Sequence, residues 1–131
     1  MGRMLMAAAL AMAAGQGAAQ DADQGAQLYL RYCAACHGME GRGDGQMAAI
    51  LTILPSDLTQ LTARNDGVFP VIRTARQVDG RDPLLAHGGV MPLFGDFFEG
   101  QDVALRAETG QTMLTSWAIA DLIAWLETIQ E

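Results

Sequence analysis

The sequence predicts an all-α fold, in which a helix at each end of one small domain encloses short helices and glycine-rich loops. The chain has 131 residues, which is the length of a single domain. Apolar residues recur at helical spacing near both ends. Between them, residues 38–45 carry four glycines, which is typical of a loop.

The first predicted helix begins near Asp21 and Asp23, which suit a helix cap and the positive end of the helix dipole. Leu28 and Tyr29 lie on its apolar face. Gly25 is unfavourable inside a helix by about 1 kcal/mol relative to alanine. We therefore expect Gly25 to allow close approach of another helix.

The last predicted helix follows a threonine or serine cap in "TSWAIADLIAWLETIQE". Trp125 flanks its apolar stripe. The stripe consists of Ile119, Leu122, Ile123, Leu126 and Ile129.

The middle of the chain is predicted to hold shorter elements. Residues 47–54 suit a helix that stops at Pro55, and Ser56 or Asp57 can cap a further turn. Residues 71–77 suit another helix after a proline. Residues 102–116 favour two extended pieces joined by a turn at 108–111, which is the one departure from helix.

The N-terminal residues 1–19 have the pattern of a secretory signal peptide. Arg3 precedes an apolar run, and Gly17 and Ala19 suit a cleavage site. The run is short for a membrane span, so we expect a mature domain of residues 20–131 in the periplasm. An uncleaved anchor is the alternative, and no later stretch is long and apolar enough to span a membrane.

The chain is acidic, with a formal net charge of −7. Nucleic acids and anionic membranes repel such a chain, so neither is expected as a partner. Protein partners with a basic patch are favoured instead.

The two cysteines of the chain lie in "CAACH", where His37 follows Cys33 and Cys36. This spacing is typical of c-type haem attachment: two thiols bind the porphyrin, and the adjacent imidazole ligates the iron. We therefore predict one covalent haem c. The alternatives are a redox-active thiol pair, half of a zinc site, or a local disulfide.

The candidates for a sixth iron ligand are His87 and the four methionines of the predicted mature chain. Met39 is too close to His37, and Met47 belongs to a segment expected beside the haem. Met91, His87 and Met113 remain open from the residues alone. A thioether would raise the reduction potential, whereas a second histidine would lower it.

The chain resembles class I cytochrome c in "CAACH", in "MPLFG" at residues 91–95 and in an aromatic residue of the last helix. The resemblance implies that Gly25 and Tyr29 meet Trp125 where the terminal helices cross, around one haem. It also implies that Met91 is the distal ligand. Gln46 departs from the proline usual in bacterial members, where a nearby carbonyl orients the proximal histidine.

These observations predict a one-electron carrier that is not an enzyme, because protein would fill both axial positions. The alternatives are a haem subunit of a periplasmic oxidoreductase, a gas-binding protein with a labile distal site, and a haem-free thiol–disulfide module. Residues 99–113 are longer than the family's usual connection. They are expected to cover a haem edge, to dock a partner, or to form a surface loop.

Overall fold

The computed structural model describes residues 20–80 and 91–131. Within these ranges it has four α-helices, four short 3₁₀ helices and one β-hairpin. The segment assigned to a signal peptide and the candidate ligand His87 lie outside the described residues. No helix among those described has the length and apolar character needed to cross a membrane.

Helix α1 spans Ala22–Tyr32 and helix α4 spans Trp117–Thr128. The Asp21 carboxylate accepts hydrogen bonds from the amides of Asp23 and Gln24, which satisfies donors that the first helical turn leaves free. Ser116 caps α4 in the same way. Both predicted terminal helices and their caps are therefore confirmed.

The two terminal helices cross at Gly25. A β-carbon built there would lie 2.0 Å from the carbonyl oxygen of Asp121, so only glycine allows this approach. One turn further, the rings of Tyr29 and Trp125 lie 4.2 Å apart between centroids. The predicted crossing and its three residues are confirmed.

The α4 stripe forms the centre of the core. Ile119, Leu122 and Ile123 are each 1 % exposed, and α1, helix α3 and the hairpin pack around them. Helix α3 spans Val71–Asp79, two residues longer than predicted, and ends at Gly80 in the left-handed conformation.

The segment between α1 and α3 is less helical than predicted. Helix α2 is a single turn, Ala34–His37. A 3₁₀ helix covers Gln46–Ile50, so the helix predicted over 47–54 is shorter and ends before Pro55. Two further 3₁₀ turns cover Leu58–Gln60 and Ala63–Asn65.

A β-hairpin follows the 3₁₀ helix Gly95–Phe98. Strand β1, Asp102–Arg106, pairs antiparallel with strand β2, Thr112–Ser116, as the residue pattern predicted. The strictly all-α class is therefore too narrow, because the fold is mostly helical with a two-stranded sheet. Leu105 and Thr115 are buried on the face that turns toward the core.

Candidate functional site

The cysteine motif lies at the junction of α1 and α2. The carbonyl of Cys33 accepts hydrogen bonds from the amides of Cys36 at 3.1 Å and His37 at 2.9 Å. This tight turn places both thiols and the imidazole within five consecutive residues, because Cys33 is the N-cap of helix α2, Ala34–His37. Cys33 is buried, Cys36 is half-buried, and the two thiols are not bonded to each other.

Cys33 is poorly suited to thiol–disulfide exchange. Burial, with a smaller contribution from the neighbouring Cys36, raises the pKa of the Cys33 thiol to about 11. Redox-active pairs need a thiolate, which a depressed pKa provides. The motif also joins two helices, whereas a thioredoxin-like pair is expected after a strand. Both observations count against the thiol–disulfide alternative.

A zinc site has no further ligands in the part of the chain that the structure describes. There, no group of three or more histidine, cysteine or acidic side chains is arranged to hold a metal ion. The half-site alternative therefore gains no support from residues 20–80 and 91–131.

The imidazole of His37 is oriented by a backbone carbonyl. Its Nδ1 lies 2.9 Å from the carbonyl oxygen of Ser56. Because a carbonyl only accepts, Nδ1 carries the proton, and the lone pair is on Nε2. A hydrogen bond of this kind fixes the tautomer and the ring orientation of a metal-ligating histidine. The carbonyl that the sequence could not locate therefore belongs to Ser56.

The glycine-rich loop folds back over the motif. The amide of Gly43 donates to the carbonyl of His37 at 2.7 Å, and the amide of Gly45 donates to the carbonyl of Cys36 at 3.1 Å. A β-carbon at Gly45 would lie 2.4 Å from the carbonyl oxygen of Ala35, so the loop closes only without a side chain. The Tyr29 hydroxyl adds a bond of 2.6 Å to the carbonyl of Gly38.

Met91 is half-buried and packs against the core cluster. The chain beyond it is fixed to α3, because the amide of Phe94 donates to the carbonyl of Val78 at 3.0 Å. Met113 is also partly buried against the core, from strand β2. Met39 is 70 % exposed and Met47 is 40 % exposed.

The residues present fit a covalently held haem. Two unpaired thiols share one turn with an imidazole whose Nε2 lone pair is available. A thioether from another segment packs on the same core. Arg73 and Arg76 are exposed on α3, and a guanidinium group matches the carboxylate of a haem propionate.

Sequence reasoning missed the residues that support the motif. The roles of the Ser56 carbonyl and the Tyr29 hydroxyl were not predicted. A carbonyl has no side-chain signature. The pair "PS" at residues 55–56 marks only an irregular segment.

The crossed terminal helices, the cysteine pair and the oriented histidine define a class I c-type cytochrome domain. The family model described as cytochrome c oxidase, cbb3-type, subunit III matches residues 20–107, and the chain belongs to this family. Its cofactor is a covalently bound haem c, and its role is electron transport. No curated protein and no solved structure matches the chain.

Proposed function

We propose that the protein is a periplasmic carrier of one electron, with Cys33 and Cys36 holding the haem and His37 and Met91 as axial ligands. The observation that carries the proposal is the hydrogen bond between His37 Nδ1 and the Ser56 carbonyl. It leaves Nε2 as the ligating nitrogen, in the same turn as both free thiols.

Each side chain has a separate task in this proposal. The haem supplies a metal that changes between ferric and ferrous states. The two cysteines keep it covalently attached, so that it is not lost in the periplasm. His37 donates the Nε2 lone pair, and the thioether of Met91 favours the ferrous state and so raises the potential. With both axial positions filled by side chains, no coordination site is left for a substrate, so the protein would not be an enzyme.

The first test is an absorption spectrum of the exported holoprotein, recorded oxidised, reduced, and reduced under carbon monoxide. We expect a c-type spectrum with the weak deep-red band of a methionine–ferric bond, unchanged by carbon monoxide. A carbon monoxide shift would instead favour the gas-binding alternative. The intact mass of the same sample tests removal of residues 1–19, since the mature chain should begin at Gln20.

An acidic surface with an exposed aromatic ring lies a few residues after Met91. Phe97 is 71 % exposed, although it belongs to a cluster of aromatic rings and lies 6.2 Å from Phe94 between centroids. Asp96 and Glu99 flank it and are exposed, and residues 91–105 contain no basic residue. An apolar centre with an acidic rim suits a redox partner whose docking surface is basic.

Removing these charges should slow electron transfer to a basic partner. We expect the double substitution Asp96→Asn and Glu99→Gln to lower the second-order rate about fivefold at low ionic strength. The difference should fade above about 0.3 M salt, where screening acts within a few ångströms. The matched control is Asp23→Asn with Asp66→Asn, which removes the same charge elsewhere. An equal fall in rate in the two double variants would mean that net charge alone causes the effect, and it would contradict this docking surface.

A second candidate function is a subunit of a periplasmic oxidoreductase complex. The description of the matched family names an oxidase subunit, which favours this candidate. Purification at low salt from the native host would distinguish the two, because a subunit co-elutes with its complex and a free shuttle elutes near its own mass.

A further inference from the structure

The side chain of Gln130 joins the end of α4 to the loop that follows Ser56. Its Oε1 accepts from the amide of Thr62 at 2.9 Å. Its Nε2 donates to the carbonyls of Leu58 and Leu126, both at 2.8 Å. Both N–H donors of this amide and one of the two acceptor positions of its oxygen therefore bond to backbone groups. These three hydrogen bonds fix the orientation of the half-buried side chain.

The next residue repeats the connection from the backbone. The amide of Glu131 donates to the carbonyl of Thr59 at 3.0 Å. Its carboxylate forms a two-pronged ion pair with Arg42 of the glycine-rich loop. Because both side chains are about half exposed, this ion pair stabilises the contact between the loop and the end of α4 less than the hydrogen bonds of Gln130 do.

The loop fixed in this way carries the acceptor for His37. Ser56 precedes Leu58 by two residues, and the amide of Leu58 donates to the carbonyl of Gly41 at 2.6 Å. The Asp57 carboxylate then accepts from the amide of Thr59, which rigidifies the turn between them. The position of the Ser56 carbonyl is thus set by contacts that lead from Leu58 to the end of α4.

We propose that Gln130 is a positioning residue for the proximal ligand. By holding Leu58 and Thr62, it keeps the Ser56 carbonyl at hydrogen-bonding distance from His37 Nδ1. That bond makes the imidazole a stronger donor and favours the ferric state, because electron density is transferred toward Nε2. The inference rests on the proposed function, in which His37 ligates the iron.

The test compares holoproteins carrying Gln130→Leu and Thr128→Ala. Thr128 lies at the same end of α4, but among the described residues its hydroxyl donates to the Trp125 carbonyl within its own helix and not to the loop. We expect Gln130→Leu to shift the reduction potential upward and to speed solvent exchange of the His37 Nδ1 proton about tenfold, as followed by nuclear magnetic resonance. Thr128→Ala should change neither.

A milder variant covers the case in which Gln130→Leu fails to fold. Glu131→Gln keeps the backbone bond to Thr59 and weakens only the ion pair with Arg42, so it should shift both readouts in the same direction by less. Unchanged potential and exchange in Gln130→Leu, or in Glu131→Gln where Gln130→Leu does not fold, would overturn the inference if the wild type is histidine-ligated. A wild-type spectrum without histidine ligation would instead overturn the proposed function.

Discussion

Met91→Ala is expected to convert a haem protein that is indifferent to carbon monoxide into one that binds it stoichiometrically. In the proposed ligand set Met91 is the distal ligand, and alanine has no donor atom to replace it, so that coordination position becomes available to a gas. The weak deep-red band of the ferric protein should disappear. The reduction potential should fall, because the thioether that favours ferrous iron is lost. Loss of packing by a half-buried methionine should also destabilise the protein by about 2 kcal/mol.

Met113→Ala is the matched control for this substitution. Met113 is also a partly buried methionine against the core, on strand β2, and was open as a ligand from the residues alone. We expect its removal to cost a similar amount of stability and to leave the spectrum and the gas response unchanged. Loss of the band in Met113→Ala, with retention in Met91→Ala, would reassign the distal ligand.

The candidate site could be proposed from sequence where it depends on side chains at a fixed spacing. Cys33, Cys36 and His37 lie within five consecutive residues, so the same short motif predicts both their chemistry and their mutual placement. The acceptor for His37 was not predictable, because Ser56 contributes a carbonyl that every residue possesses. The hydrogen bonds of Gln130 were missed for a related reason: a single glutamine after a helix is most simply interpreted as a solvent-exposed side chain.

The fold was predictable where one pattern dominates a segment. The α4 stripe and the small residue at Gly25 specify a buried helix and its crossing, and both are present. The segment 47–54 was overpredicted as helix because it is apolar almost throughout. Several of its side chains, including Ile50 and Leu54, are exposed, so no amphipathic face holds a longer helix against the core.

The hairpin illustrates a conflict between local and global prediction. β-Branched and apolar residues in "TMLTS" predicted extended structure, while the helices at both ends predicted an all-α class. Strand β2 leads directly into α4, with Ser116 serving both as its last residue and as the helix cap. The hairpin predicted from the local residue pattern is present, so the fold is mostly helical with a two-stranded sheet and not strictly all-α.

Gly25→Ala tests the crossing on which this arrangement depends. Alanine should gain about 1 kcal/mol of helix propensity. Its β-carbon, however, would lie 2.0 Å from the carbonyl oxygen of Asp121 and 2.9 Å from the β-carbon of Trp125. Neither atom belongs to the flexible end of a side chain, so the helices must separate. We expect a net loss of about 3 kcal/mol in the free energy of unfolding, or about 10 °C in Tm.

Denaturant unfolding of the ferric holoprotein, followed by tryptophan fluorescence, measures this loss, because Trp125 lies in the crossing. Gly100→Ala is the control, since a β-carbon there meets no heavy atom within 4 Å and the backbone is not left-handed. It should change stability by less than about 0.5 kcal/mol. Equal stability of the two variants would mean that α1 and α4 do not approach this closely in solution. It would contradict both the crossing at Gly25 and the Tyr29–Trp125 contact.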